Sequence, residues 1–153
     1  MRILDFEKNM RAALSEAEAA YGSGEIPVGA LVVREGMIIA RAHNLVEYKN
    51  NRSAHAEMLA MEAALARLDG EKRLSGCTLY TTLEPCAMCA GAAVNFGVDM
   101  IVFGAYDEKF GCTGSRTDIP LLLTNGRIRS VGGVLREECE QIINRFFAER
   151  RGL

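Results

Sequence analysis

The chain has 153 residues, enough for one domain with a sizeable core, and we expect a single domain over 1–153. With 49% hydrophobic and 25% charged residues, no apolar run of membrane-spanning length and a charged N-terminus without a secretory apolar stretch, it excludes membrane and secreted classes, so a cytosolic location is expected. A net charge of −2 excludes attraction to nucleic acid by overall charge; any RNA contact must come from a local basic patch.

In chain order, Phe6, Met10, Ala13, Leu14, Ala17 and Tyr21 recur at helical spacing, with Asp5 as expected N-cap and Gly22 as the stop. VGALVVRE and MIIARAHN read as two strands around a turn at Glu35-Gly36. The stretch 54–68 reads as a helix with Met58, Leu59, Met61, Ala64 and Leu65 on one apolar face, ended by Asp69-Gly70. A third strand is expected over 77–82, and a helix opened by Pro85 and running through Val94. A fourth strand over 99–105 leads to a polar, glycine-dotted loop from Tyr106 to Thr117. A short edge strand at 127–131 and a closing helix over 135–150, with Ile142, Ile143, Phe146 and Phe147 inward, complete the pattern. Helices and strands alternate, which predicts an α/β chain with a central sheet sandwiched between helices.

The chemistry concentrates in two short motifs, His55-Ala56-Glu57 and Pro85-Cys86-Ala87-Met88-Cys89. Cys86 and Cys89 at i, i+3 lie on one helical face and can share a metal ion. A helix N-terminus favours the thiolate form that a metal needs. His55 adds an imidazole, while Glu57 is a carboxylate held back from the metal. Three ligands leave a position open for water, the arrangement of catalytic rather than structural zinc. A closed structural zinc, with His43, Cys77 or Cys112 as fourth ligand, is the competing expectation. Five cysteines, an odd number with two only three positions apart, fit metal-bound thiolates in a reducing compartment better than a disulfide framework.

The pattern H-x-E followed by P-C-x-x-C is the signature of zinc-dependent nucleobase deaminases. Around it stand Glu25-Ile26-Pro27-Val28-Gly29-Ala30, Ala42-His43-Asn44, Thr81-Thr82-Leu83-Glu84-Pro85-Cys86, Val102-Phe103-Gly104-Ala105, Gly114-Ser115 and the Phe146-Phe147 helix. With these, nearly the whole chain resembles the bacterial tRNA-specific adenosine deaminases of the cytidine deaminase-like superfamily. The resemblance implies a three-layer α/β/α sandwich with a mixed sheet, and one Zn2+ per subunit held by His55, Cys86 and Cys89. It further implies Glu57 as the proton shuttle, substrate contacts from Asn44, Glu84 and the backbone near Pro85, and a homodimer. Apolar residues around the C-x-x-C helix (Met88, Ala92, Ala93, Phe96) are the expected dimer surface.

Three functions follow as expectations. The first is hydrolysis of adenosine to inosine at the tRNA wobble position, with an anticodon loop as partner. The second is deamination of a free base or nucleoside such as guanine, adenosine or cytosine. The third is a non-catalytic, zinc-stabilised RNA-binding module. Lys109, Arg116, Arg127, Arg129, Arg145, Arg150 and Arg151 are the candidates for a basic path to RNA phosphates.

Overall fold

A computed structural model describes residues 3–152. The first helix, α1 (Ile3–Gly22), begins before the expected cap, so Asp5 sits in its first turn. A carboxylate there complements the free N–H groups much as a cap would. Strands β1 (Gly29–Arg34) and β2 (Met37–His43) meet at Glu35 and Gly36, both with positive φ, the geometry a two-residue hairpin loop requires. A short helix α2 (Val46–Lys49) and the long α3 (Ala56–Arg67) follow. Next come β3 (Cys77–Leu83), α4 (Ala87–Phe96), β4 (Met100–Ala105), α5 (Ile119–Thr124), β5 (Arg129–Val131) and α6 (Arg136–Arg150).

The strand order is β2-β1-β3-β4-β5. β1 runs antiparallel to β2 and β3, while β3, β4 and β5 are parallel, so the sheet is mixed. Successive strand residues serve opposite faces. Ala30, Val32, Leu79 and Ile101 pack with Ala56, Ala60, Met61 and Ala64 of α3 and Ala93 of α4. Leu31, Val33, Tyr80 and Val102 pack with Met10 and Ala13 of α1 and Cys139 of α6. The expected three-layer sandwich is present, and both faces of the central strands are covered.

Two helices were not expected. α2 is only four residues long, too short to show periodicity. α5 looks in sequence like an apolar cluster, yet Asp118 caps it by accepting from the Leu121 N–H (3.1 Å), with Pro120 in its first turn. The C-x-x-C helix begins at Ala87 with Cys86 as N-cap, so Pro85 precedes the helix rather than opening it.

Gly29 lies where β1 passes under α1. A Cβ there would run into the backbone of Ala13 and Ala17, which cannot yield as a side chain can. Gly29→Ala is expected to cost about 3 kcal/mol and to lower Tm by roughly 10 °C, readable by thermal denaturation.

Candidate metal centre and its pocket

Two helix N-termini converge at the C-terminal end of β3. His55 is the N-cap of α3 and Cys86 the N-cap of α4, both in extended conformation, so their side chains project ahead of the helices. Cys89 follows one turn into α4, where it is fully buried. His55 Nδ1 lies 3.7 Å from Cys86 Sγ and 3.5 Å from Cys89 Sγ, and the three ligand atoms lie within 4.8 Å of one another. Zinc–sulfur and zinc–nitrogen bonds at a tetrahedral angle place N and S about 3.5 Å apart, so the residues fit this ion.

Among the described residues, these three form the cluster that could hold a metal. The other thiols and the second histidine are engaged elsewhere. Cys77 is buried at the far end of β3 from Cys86, and the Cys112 thiol donates to the Phe110 carbonyl. His43 Nδ1 lies 3.0 Å from Glu16 Oε1. None of them joins the three ligands as a fourth, which leaves the open-position geometry.

The three ligand groups and Glu57 strongly perturb one another. The hydrogen bond with Cys89, aided by His55, lowers the Cys86 thiol to about 4. The same hydrogen bond, reinforced by burial, raises the Cys89 thiol. His55 is raised by its hydrogen bond to Cys86, against the opposing effect of burial. Glu57, in the first turn of α3, is almost fully buried, and desolvation raises its carboxyl to about 7. A carboxyl near neutrality can both take a proton and return it.

A pocket of about 700 Å³ opens over this cluster, lined by His55, Glu57 and Cys86 together with Asn44 and residues from the loop after β4 and from α6. Asn44 is buried; its Nδ2 donates to the Ile26 carbonyl (3.3 Å), and its Oδ1 is buried without a hydrogen-bond partner. Glu84, expected as a substrate contact, lines the pocket, but its carboxylate is engaged by the neighbouring loop. Its oxygens accept from the N–H groups of Asp107 (3.0 Å), Thr113 (3.2 Å) and Ser115 (2.9 Å) and from the Ser115 hydroxyl, which saturates the carboxylate. The Pro85 carbonyl accepts from the Cys112 N–H (2.8 Å), so it too ties down this loop.

Of the expected basic residues, Arg150 lines this pocket. Arg145 pairs with Glu18 (3.2 Å) and covers the Tyr21 ring, and Arg150 donates to the Gly24 carbonyl (2.7 Å). Arg127 and Arg129 border a separate groove beside the beginnings of β3 and β4. Sequence reasoning missed Arg52, Phe110 and Glu25. Arg52 and Phe110 line the pocket, whereas buried Glu25 accepts from the Glu47 and Tyr48 N–H groups and so caps α2. Glu25 stood within a motif already noted; the other two carry no sequence signal beyond residue type.

Residues 5–105 match the cytidine and deoxycytidylate deaminase zinc-binding region. The chain belongs to this deaminase family. Among its relatives is the tRNA-specific adenosine deaminase of Bacillus subtilis (strain 168), 49% identical over 148 residues that cover 95% of this chain and 90% of that protein. A structure from a study of A-to-I editing by tRNA:A34 deaminases at the wobble position superposes with a TM-score of 0.78 at 34% identity, covering 87% of this chain and 96% of that one. The guanine deaminase from Nitrosomonas europaea superposes with a TM-score of 0.81 at 30% identity, covering 93% and 84%. Zinc is the cofactor of this deaminase family, and the chain is a zinc-dependent hydrolytic deaminase. No helix among the described residues is long and apolar enough to cross a membrane.

Proposed function

We propose that this deaminase converts adenosine to inosine at the wobble position of tRNA, acting in the cytoplasm as a single-domain enzyme. What carries the substrate assignment is the 49% identity to a tRNA-specific adenosine deaminase, maintained across nearly both full lengths. His55 Nδ1 and the thiolates of Cys86 and Cys89 hold the zinc. When bound, zinc acidifies a water toward neutrality and so supplies the nucleophile.

Glu57 takes the proton released as the water oxygen bonds to C6 of the purine. It passes that proton to the adjacent ring nitrogen, which breaks the ring's aromaticity. A second proton from the attacking oxygen travels by the same carboxylate to the amine. The C–N bond then breaks, ammonia leaves, and the oxygen remains on the base as inosine. Asn44 lines the pocket, and a small turn of its amide would offer the unpartnered Oδ1 to a substrate hydroxyl or N–H. Glu84 contributes by holding the loop that closes the pocket.

A second reading, deamination of a free purine base, draws on the likeness to the Nitrosomonas europaea guanine deaminase. Ammonia release from guanine, adenosine, cytosine and an anticodon stem-loop separates the two. Turnover of the stem-loop alone supports the first, and turnover of free guanine alone supports the second.

We infer that the enzyme works as a homodimer. Of the residues expected to form its surface, Ala93 is buried in the core and Met88 is exposed. α5, which packs against α4, exposes Leu121, Leu122 and Leu123, a patch that a second copy would cover. Light scattering at micromolar concentration should give twice the chain mass, and Leu122→Glu should give one. A wild-type monomer would sink this inference.

A further inference from the structure

Phe110 is a large apolar side chain left 66% exposed, on the loop between β4 and α5. Among the described residues it stacks on no other ring and joins neither hydrophobic core cluster. Yet its backbone is held firmly. Its N–H donates to Asp107 Oδ1 (3.1 Å), its carbonyl accepts from the Cys112 thiol (3.5 Å), and the next residue's N–H donates to the Asp107 carbonyl (2.8 Å). Buried Glu84 lies beneath, receiving donors from Asp107, Thr113 and Ser115. Gly111 must be glycine here, because a Cβ would strike the Glu84 carboxyl and the Asp107 carbonyl. The backbone that presents this exposed ring is thus held before any ligand arrives, so little backbone ordering is required when one binds.

The ring lines the same pocket as His55, Glu57 and Cys86. At about 700 Å³ that pocket lies in the upper part of the range that encloses a drug-sized ligand, and one purine does not fill it. Its rim also carries Arg52, exposed and without an ion pair among the described residues although Glu47 and Asp107 line the same space. An aromatic side chain and an unpaired guanidinium lining one pocket suit a base and its phosphate.

We propose that Phe110 is a stacking platform for a nucleobase next to the target adenosine in a single-stranded RNA loop. The proposal rests on the polynucleotide reading above. Splayed loop bases offer π-faces, and stacking on an aromatic side chain tolerates any base. The subsite therefore distinguishes an RNA loop from a free nucleoside without specifying sequence.

The test uses the zinc-loaded enzyme and an anticodon stem-loop with adenosine at the wobble position. Phe110→Ala should raise KM for the stem-loop between about five-fold and 150-fold, as should the apolar but non-aromatic Phe110→Leu, whereas Phe110→Trp should restore it. Placing an abasic site 5′ or 3′ of the target should, at one of the two, erase the difference between wild type and Phe110→Ala. Equal KM for wild type and Phe110→Ala would overturn the proposal. So would full rescue by leucine, or a penalty that persists at both abasic substrates. A wild-type enzyme that leaves the stem-loop unreacted but turns over a free base would overturn the tRNA reading itself, and this subsite with it.

Discussion

Replacing Glu57 with alanine is expected to lower turnover by roughly a thousand-fold or more while the protein retains its zinc. The carboxylate is buried beside the ligand cluster but is not one of the three atoms that converge on the metal. The same group must take the proton from water and return it to the base, so its loss removes both transfers. Glu57→Gln should fail equally, because an amide keeps the volume but cannot accept the proton. Cys89→Ala provides the contrast, losing zinc and activity together. Zinc content by atomic absorption, measured beside turnover, separates these outcomes; a Glu57→Ala enzyme within ten-fold of wild type would refute the role.

The second large effect is expected at Glu84. Its side chain is 2% exposed and receives three backbone N–H groups and one hydroxyl from a single loop. Alanine would leave these donors without acceptors in a largely buried setting. The loss should be about 3–5 kcal/mol of stability, since each unsatisfied buried donor costs about 1–3 kcal/mol and water recovers part of the total. Amide exchange at Asp107, Thr113 and Ser115 should accelerate in the native state, reporting release of the loop. Glu84→Gln should fall between wild type and alanine, because one carbonyl oxygen replaces two charged acceptors. Unchanged exchange at those three amides would contradict the anchoring role.

These two carboxylates show how far the sequence could be read. Both lie in recognisable motifs, and the metal cluster was legible because its chemistry demands particular residue types at fixed spacing. His55, Cys86 and Cys89 must sit at helix starts to meet, and the apolar periodicities on either side predicted those starts to within two residues. The layers were legible for the same reason, since 3.6-residue and two-residue periods alternate along the chain.

What the sequence concealed depends on side-chain direction and on contacts between distant segments. Glu84 adjoins the metal motif and lines the pocket, yet its carboxylate is taken up by the loop at 107–115, and only the fold reveals those donors. Phe147 was expected inward beside Phe146, but it is partly exposed and lines the pocket instead. Arg145 and Arg150, read as a path to RNA, are engaged by Glu18 and by the Gly24 carbonyl, partners more than a hundred residues away. The leucines at 121–123 read as an anomaly until Asp118 proves to be a helix cap.

The central claim is that the polar cluster at the base of this pocket deaminates an adenosine presented in an RNA loop. It is tested most directly by incubating the zinc-loaded protein with an anticodon stem-loop carrying a single wobble adenosine, then digesting the RNA and quantifying its nucleosides. The account predicts conversion of that adenosine to inosine with matching release of ammonia, and no conversion by Glu57→Ala. An intact adenosine in the stem-loop, alongside ammonia released from free guanine or another free base, would contradict it.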